Sequence, residues 1–428
     1  MAEKAEKFTK IEKSWIMYDW ANSVYATIMM AAIYPIYFTG IVNSQGAAGD
    51  VWWGVGVSVS MVILALSAPI VGALADYRGY KKRLFALFLV LGLVFTLFSA
   101  IVDFWPLMLL GYILSRIGFS GSLLVYDSFL PDVTTPDRMD KVSSFGYAFG
   151  YIGGSTIPFL VGIGLIQFAP ALGITTVIAT KLSLVITVIW WGLFSIPFLK
   201  NIKQLHYIEK PKTGMLKETF VSIGVTAKKI ITDKKVFFFV LAYFFYIDGV
   251  GTVISMSTSY GETLGLGQIS MILALLVTQL VAFPCSIIFS RMSKRFGSLR
   301  MLLCAVCLYL VICAVGFVMG LGLELFWFGT ATATILFWIL ATLVGTVQGG
   351  IQAVSRSYFA KIVPPENSGE FFGFFDIFGK FASIMGPALY SITKTLSGSS
   401  AIAILSIALL FIAALIIFAV GRKHLRTA

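Results

Sequence analysis

The chain has 428 residues, of which 58% are hydrophobic and only 12% are charged, and its mean hydropathy is +0.91. Because about 25% of the residues of a soluble domain are charged, this composition excludes a soluble globular protein. Basic loops that rest on an anionic membrane surface account for the net charge of +12, so we expect no nucleic-acid partner.

The apolar residues form long runs, which is typical of helices that each cross a membrane core of ~30 Å with about 20 residues. In chain order the runs cover about 14–42, 51–75, 84–102, 104–127, 142–167, 182–199, 236–257, 268–290, 301–320, 326–355, 371–393 and 400–420. The pattern predicts an all-α membrane protein with 12 transmembrane helices in two pseudo-symmetric six-helix bundles. The predicted units are an N-terminal bundle at 1–199, a linker at 200–235 and a C-terminal bundle at 236–428.

The loop charges predict the orientation of the chain in the membrane. Of the 32 Lys and Arg residues, 28 lie in segments on the side of the termini, and only Lys181 and Lys394 lie in loops on the other side. Since positively charged loops stay in the cytoplasm, both termini are expected to be cytoplasmic. The first run is too long for a cleavable signal peptide, so it is expected to remain as the first helix.

The loop after the second run contains a compact motif, GALADYRGYKKR at 72–83. Gly72 and Gly79 permit a tight turn and a close helix approach, while Asp76 can pair with arginines or with the positive N-terminus of a neighbouring helix. The motif resembles the signature loop of the major facilitator superfamily, which latches the cytoplasmic side of those proteins in their outward-open state. The corresponding loop of the second half, 290–300, has Lys294 in place of the acid, so we expect an incomplete second latch.

Residues 125–158 and 354–387 are two copies of one pattern at a constant offset of 229. In membrane proteins such repeats place the substrate site at their interface, so a transporter is the first hypothesis. The copies share glycines and prolines, and we expect the substrate site and the gate where they differ. They differ at the aligned pairs Asp127/Arg356, Tyr147/Asp376, Tyr151/Lys380 and Arg116/Gly345.

The hydrophilic stretch at 200–235 has apolar residues on one helical face and lysines mostly on the other. This pattern predicts an amphipathic helix in the membrane interface, and it leaves open whether the segment is a passive linker or a regulatory element. The four cysteines lie in apolar runs of the second half, and His206 and His424 lie outside the runs. We therefore interpret the cysteines as small apolar side chains and expect no metal site and no cofactor.

Several short blocks carry a second resemblance. They are YDWANS at 18–23, LPD at 130–132, SFGYAFGYIGG at 144–154, AYFFYIDGV at 242–250, GGIQAVSRS at 349–357 and EFFG at 370–373. Together they resemble the vacuole effluxer family of major facilitators, whose fungal members are associated with autophagy. The resemblance implies the major facilitator fold and efflux of amino acids or similar small metabolites. One departure is Gly251, at a position where the resemblance implies an amide side chain.

Ionisable residues within the predicted spans are the first candidates for the site. They are Asp19, Arg116, Asp248, Asp376 and Lys380. Each costs at least ~2.5–3.5 kcal/mol to insert near the bilayer centre, so a functional role is the default expectation. A rise of about 1.5 Å per residue places Arg116, Asp248 and Lys380 near the midplane. The alternative is that the charges neutralise one another in bridges that hold the bundle, as Asp376 and Lys380 can at i,i+4.

Polar residues on the same helices complete the expected binding site. They are Asn22, Tyr147, Tyr151, Gln279, Gln348 and Gln352. A polar face on a spanning helix lines a cavity and not the lipid, although tyrosines and glutamines also link helices to one another. The residues expected to act in gating are Gly72, Asp76, Arg78, Gly79, Asp127 and Arg356.

From these residues we expect a secondary active transporter for a small polar metabolite, with amino acids as the substrate. An arginine or a lysine would bind the carboxylate of a zwitterion, and an aspartate would bind its ammonium group. The two bundles would rock about the central site, driven by protons, with Asp248 as the protonated group. We expect the protein to be a monomer in a bacterial plasma membrane, with the lipid bilayer and the substrate as its partners.

Two other functions stay open at this point. One is a drug or metabolite exporter of broad specificity, and the other is a membrane receptor or sensor that binds without translocating. An enzyme is not expected, because no nucleophile, metal cluster or phosphate-binding loop is recognisable in the sequence.

Overall fold

The computed structural model describes residues 7–210, 214–266 and 268–425. These residues form long helices joined by short loops, and their one extended pairing is an isolated bridge between Tyr77 and Ile208. The long helices are α1 (Lys10–Ser44), α2 (Gly49–Asp76), α3 (Lys81–Ile101), α4 (Trp105–Ser128), α5 (Met139–Gln167), α6 (Thr176–Asn201), α7 (Lys234–Thr263), α8 (Gln268–Phe296), α9 (Ser298–Glu324), α10 (Thr330–Ile362), α11 (Ser368–Ser397) and α12 (Ser400–Val420). A shorter linker helix, Met215–Thr232, lies between α6 and α7.

Eleven of the helices formed by the described residues are long and apolar enough to cross a membrane. The remaining long helix, α11, has 30 residues and carries Asp376 and Lys380 within its length. Thirty residues of helix span about 45 Å, which exceeds the hydrocarbon core. The helix predicted over 371–393 is therefore present and is long enough to cross that core.

Two helices each contain a π-helical turn, and the turn of α5 packs against the part of α1 that precedes its own turn. The turns are Ala26–Ala31 in α1 and Gly150–Thr156 in α5. Gly153 lies directly against the indole of Trp20, and a side chain there would overlap the ring. A π turn widens the helix by one residue and frequently marks a functional site. The glycines of α5 thus permit a close approach to α1 beside the centre of the molecule.

The helices of the first half pack mainly with one another, as do those of the second half. The principal contacts between the halves join α2 to α11 and α5 to α8 and α10. At the first of these crossings Gly72 meets the backbone of Gly369, and Gly373 meets the backbone of Ala68. Small residues allow two helix backbones to touch, which explains the tight fit between α2 and α11.

The segment after α6 is hydrogen-bonded to the loop between α2 and α3. The amide of Ile208 donates to the carbonyl of Asp76 at 2.8 Å, and the side chain of Gln204 accepts from the amide of Gly79 at 2.9 Å. The linker helix then contacts α2, α7 and α11, and Ser222 donates to Glu370 at 2.7 Å. The predicted helix within 200–235 therefore forms and touches both halves.

Both ends of the described chain lie at the same end of the molecule. Arg138, before α5, donates to the carbonyl of Lys7, and Tyr358, in the last turns of α10, donates to the carbonyl of Leu425. We call this the terminal end, and the opposite end, with the loop between α3 and α4, the distal end.

Candidate functional site

A charged cavity of about 240 Å³ lies between the two halves of the chain. Its lining side chains are Leu124, Asp127, Tyr147, Tyr243, Ile247, Gln352, Arg356, Phe372, Phe375, Asp376, Gly379 and Lys380. They come from α4, α5, α7, α10 and α11, so both copies of the repeat contribute. Five of the residues at which the two copies differ lie in this cavity. They are Asp127, Tyr147, Arg356, Asp376 and Lys380.

Arg356 connects the halves beside this cavity. Its Nη2 lies 3.0 Å from Oδ2 of Asp19, and its Nη1 lies 3.0 Å from Oδ1 of Asp127. Its Nε donates to Oγ of Ser143 at 2.9 Å. The side chain of Arg356 is 3% exposed, and a buried cation requires such partners because desolvation is costly. One side chain of α10 thereby binds α1, α4 and α5.

Aromatic rings cover both sides of the same guanidinium group. The Cζ atom of Arg356 lies 4.5 Å from the ring centroid of Trp15 and 4.5 Å from that of Tyr147. Cation–π contacts of this kind are worth about 2 kcal/mol when the partners are desolvated. The rings also exclude water from the ion pairs between Arg356 and the two aspartates.

The opposite wall of the cavity holds a second ion pair, between Asp376 and Lys380, one turn apart on α11. Their side chains are 26% and 15% exposed, so both can reach a molecule in the cavity. Together with Asp19, Asp127 and Arg356, the cluster has three carboxylates and two cations. The formal charge of the cluster is therefore −1 when all five groups are ionised, which suits a proton or an ammonium group.

Aromatic rings form another part of the cavity wall. The rings of Tyr243 and Phe375 are stacked with their centroids 3.9 Å apart, and Phe372 packs against Phe375. A cavity with a charged side and an aromatic side can bind the polar and the apolar part of one small molecule.

Arg116 and Asp248 lie outside the charged cavity. Arg116 donates to the hydroxyl of Tyr112 at 2.6 Å, and it lies eleven residues before Asp127 on the same face of α4, hence about 16 Å away along the helix. Asp248 is fully buried and accepts from the amide of Gly386 at 3.0 Å, which joins α7 to α11. Depth in the membrane located both residues near the midplane, but it gave no information on the direction of either side chain.

The other expected binding residues fall into three places. Gln352 lines the charged cavity, whereas Gln279 and Gln348 line a separate cavity within the second half. Asn22 is buried one turn from Asp19 on α1. Tyr151 lies against Gly349 of α10, one turn beyond Tyr147. The structure therefore divides the predicted polar stripe of α10 between two cavities.

The motif at 72–83 makes hydrogen bonds to the second half at the terminal end. The carboxylate of Asp76 accepts from the amides of Gly369 and Glu370, at 2.7 and 2.9 Å. These amides belong to the first turn of α11, where the helix dipole favours a negative charge. We call Gly72, Asp76, Gly369 and Glu370 the first latch.

The other two residues of the motif predicted to act in gating face the linker segment. Arg78 pairs with Glu209 at 3.1 Å, and both side chains are mostly exposed. Gly79 adopts a positive φ of 76° in the turn. A neighbouring residue that we did not expect to bridge the halves does so. Lys81 is fully buried and lies 3.0 Å from Asp132 and 2.9 Å from Oγ of Ser368.

A second latch is present, contrary to the expectation from Lys294. Asp140, in the first turn of α5, accepts from Oγ of Ser293 at 2.6 Å and of Ser298 at 2.7 Å. It also pairs with Lys361 at 2.7 Å. We call Asp140, Ser293, Ser298 and Lys361 the second latch. The acid lies at the start of α5 and its two hydroxyl donors lie where α8 meets α9, whereas in the first latch the acid precedes the loop and the donors lie at the start of a helix.

The sequence analysis missed Asp140, although the repeat contains a signal for it. At the offset of 229, Asp140 aligns with Gly369, which receives the acid of the first latch. Asp140 and Gly369 are therefore equivalent positions at the start of a helix, and each contacts the loop of the other half. The negative charge lies next to the loop in the first latch and at the start of the helix in the second.

At the distal end the halves are separated by a cleft of about 1160 Å³. Side chains of α1, α5 and α6 form one wall, and side chains of α7 and α8 and of the loop between them form the other. The wall is mostly apolar, as shown by Ile36, Ile163 and Leu275, with Glu262 as an acidic member. The polar contacts described above thus close the terminal end, while the distal end stays apart.

Comparison with known proteins agrees with this architecture. The model of the family described as "Vacuole effluxer Atg22 like" matches residues 55–424. The chain is 44% identical to the uncharacterized MFS-type transporter YxiO of Bacillus subtilis, over 97% of this chain and 95% of that protein. It is 24% identical to autophagy-related protein 22 of Coccidioides immitis, over 88% of this chain and 80% of that protein.

Solved structures of major facilitator transporters have the same fold. The transporter FucP in its outward conformation superposes with a TM-score of 0.73 at 14% identity, covering 98% of this chain and 100% of that chain. The human organic anion transporter MFSD10 gives a TM-score of 0.66 at 14% identity, covering 95% and 98% of the two chains. Because this family and this fold comprise transporters and not enzymes, the prediction that the chain is not an enzyme is confirmed. A family match over most of its length and a close bacterial relative show that this chain belongs to the Atg22-like vacuole effluxer family of MFS-type transporters.

Proposed function

We propose that the protein is a secondary active transporter that moves a zwitterionic metabolite, with amino acids as the substrate class, by alternating access. In this proposal the chain forms two six-helix bundles, α1–α6 and α7–α12, and works as a monomer in a bacterial plasma membrane with both termini in the cytoplasm. The observation that carries the proposal is the charged cavity between the two halves. Polar contacts close the molecule at the terminal end, and a cleft separates the halves at the distal end.

The bond between Asp127 and Arg356 supports a central position for this cavity. The two residues are equivalent positions of the repeat, separated by the offset of 229. Positions related by a twofold axis can touch each other only near that axis. The pair therefore lies where rocking of one bundle against the other would open and close a path.

The ion pair on α11 supports a zwitterion as the substrate. Lys380 and Asp376 point into the cavity with part of each side chain exposed. A substrate carboxylate would replace Asp376 as the partner of Lys380, and its ammonium group would bind Asp376 or Asp127. Such charge-assisted hydrogen bonds are about twice as strong as neutral ones.

The cluster has three carboxylates and two cations, and the one carboxylate in excess supports proton coupling. In this proposal Asp127 carries the proton, because it both lines the cavity and holds Arg356. Protonation of Asp127 would remove one of the two charges that bind Arg356 to the first half. Asp248, the group first expected to be protonated, binds an amide of α11 away from the cavity and is assigned a structural role.

A transporter assay with purified protein in liposomes tests the proposal. Counterflow of labelled amino acids is measured for the unmodified protein and for Lys380→Met. We expect exchange by the unmodified protein and a loss of at least about tenfold for the variant, since a charged hydrogen bond contributes roughly 1.5–3 kcal/mol. The matched control is Lys228→Met, which changes an exposed lysine of the linker helix and should exchange normally.

A broad-specificity exporter is the second candidate, favoured by the aromatic side of the cavity and by the apolar distal cleft. It predicts binding of hydrophobic cations and no exchange of amino acids. Stabilisation of the protein by hydrophobic cations alone, with counterflow of none of the amino acids, would replace the first proposal with this one.

A further inference from the structure

The second half contains its own small cavity, of about 90 Å³, between α7, α8, α9, α10 and α12. None of the side chains that line it also lines the charged cavity. Its walls are mainly apolar, with Val253, Ile312, Phe337 and Leu340 among them. We call it the amide pocket, for the two glutamine side chains that line it, Gln279 of α8 and Gln348 of α10.

Both glutamines that line the amide pocket carry a buried polar atom without a hydrogen-bond partner. Oε1 of Gln279 and Nε2 of Gln348 are buried and have no hydrogen-bond partner among the residues that the structure describes. Gln348 is 3% exposed. Buried polar atoms in proteins are nearly always paired, so two such atoms at one small cavity point to a ligand that pairs with them.

Two other polar side chains of the described wall, Tyr260 and Thr278, are already paired within the protein. Tyr260 donates to the carbonyl of Gly316 at 2.8 Å. Thr278 donates to the carbonyls of Ala274 and Ala341, at 2.9 and 3.0 Å. The amide pocket therefore offers one acceptor, from Gln279, and one donor, from Gln348, surrounded by apolar side chains.

Size and charge restrict what can bind there. A cavity of roughly 150 Å³ accepts benzene, so 90 Å³ suits a group of about four or five non-hydrogen atoms. The lining residues that the structure describes include no ionisable acid or base apart from tyrosine and cysteine, so a charged group would find no counter-charge among them. A carboxylate lacks the donor and an ammonium group lacks the acceptor, whereas a primary carboxamide supplies both.

The amide pocket lies one helical turn from the charged cavity. Gln352 lines the charged cavity, and its Nε2 donates to the carbonyl of Gln348 at 3.2 Å. One turn is about 5.4 Å long, which is close to the distance between the α-carbon and the amide of a glutamine side chain. We propose that the amide pocket binds a neutral carboxamide, carried by the side chain of an amino-acid substrate whose charged groups lie in the charged cavity. The second part of this inference rests on the proposed function.

Thermal unfolding of the purified full-length protein tests the inference with a panel of probes. L-Glutamine and L-asparagine carry the carboxamide, L-glutamate and L-norvaline are matched amino acids without it, and propionamide is the free amide. We expect glutamine to bind at least about tenfold more tightly than glutamate or norvaline, because each added hydrogen bond contributes about fivefold. Propionamide should stabilise the protein at higher concentration.

Two variants identify the pocket. Gln348→Met removes the donor at nearly constant volume and should weaken glutamine and propionamide about fivefold, with norvaline unchanged. Lys228→Met, on the exposed face of the linker helix, is the control and should bind all probes normally. The probe panel on the unmodified protein gives a decision even if Gln348→Met does not fold.

The outcomes separate this inference from the proposed function. Exchange of amino acids with no preference for a carboxamide and no effect of Gln348→Met would refute the amide pocket and leave the transporter proposal standing. Binding of propionamide that depends on Gln348, with binding of none of the amino acids, would support the pocket and refute its link to a zwitterionic substrate. Failure of every carboxamide to stabilise the unmodified protein would overturn the inference.

Discussion

The two ends of the molecule are held in different ways. At the terminal end, Asp76, Asp140 and Arg356 each bind groups of the other half through buried, directional polar contacts. At the distal end the halves face each other across a wide apolar cleft, and an ion pair there, Asp103 with Lys181, joins two parts of the first half. Polar contacts that exchange with water can be broken and remade, so the terminal end is the part of the structure built to switch.

The largest effect is expected from removing the arginine that serves both halves. Arg356→Gln leaves the buried Asp19 and the partly exposed Asp127 without this counter-charge, which costs about 3–5 kcal/mol and should abolish counterflow. The measurement is the unfolding temperature of the purified variant, with Arg300→Gln on the exposed start of α9 as control. Adding Asp127→Asn to Arg356→Gln should restore part of the stability, and no recovery would contradict the assigned pairing.

The second latch should make the next largest contribution to closure. Asp140→Asn removes the charge that binds Lys361 and two loop hydroxyls, so we expect about 2 kcal/mol less stabilisation of the closed terminal end. Spin labels at Asp137 and Arg295, exposed positions in the two halves, report the separation in a background without the four native cysteines. The label distance should lengthen in a larger fraction of molecules, whereas Asp50→Asn at the exposed distal start of α2 should leave it unchanged.

The first latch should contribute less when only its charge is removed. Asp76→Asn keeps an oxygen that accepts from one amide of α11 but loses the charge at the helix N-terminus, a change of about 1–2 kcal/mol. The same label pair measures it. If the two latches act independently, the shift in the double variant equals the sum of the single shifts, and a larger shift would show that they open together.

The smallest effect belongs to the distal end. The hydrogen bond from Lys181 holds the pKa of Asp103 below its ordinary value. The pair therefore contributes stability above the unfolded-state pKa of about 3.9, and this contribution is lost as the pH falls through the lowered pKa. Because Asp103 is largely exposed, Asp103→Asn should change the unfolding temperature by no more than about 2 °C at pH 7. This small difference from the unmodified protein should vanish in acid. An unfolding temperature lowered as much by Asp103→Asn as by Asp76→Asn would contradict the contrast between the ends.

The sequence predicted where the helices lie better than which way their side chains point. The repeat predicted that positions of broken symmetry would include the site, and five of them do line the charged cavity. Asp248 and Ile247 lie at nearly the same depth in α7, so depth could not tell them apart. Consecutive residues of a helix are rotated by about 100° about its axis, and Asp248 therefore contacts α11 while Ile247 lines the cavity. The same limitation assigned Gln348 and Gln352 to one site.

The roles of residues that form ion pairs between helices distant in sequence were the hardest to predict. Lys81 was counted among the loop charges that set the topology, but the structure buries it completely between Asp132 and Ser368. Asp140 was not predicted, because the motif at 72–83 has its acid on the loop and the same was expected at 290–300. In the second latch the acid lies on the facing helix. Such pairings depend on which helices meet, which no single motif specifies.

The pairing between the halves also has a consequence for the order in which the chain is made. Asp19, Asp127 and Asp140 belong to the part synthesised first, whereas their cations Arg356 and Lys361 follow more than two hundred residues later. At about 5–20 residues per second, the interval is roughly 10–70 s. Throughout that interval the newly inserted first half must keep its carboxylates hydrated or protonated. A nascent chain stopped before Arg356 should therefore be a preferred target of membrane chaperones and proteases, and one that extends past Lys361 should escape them.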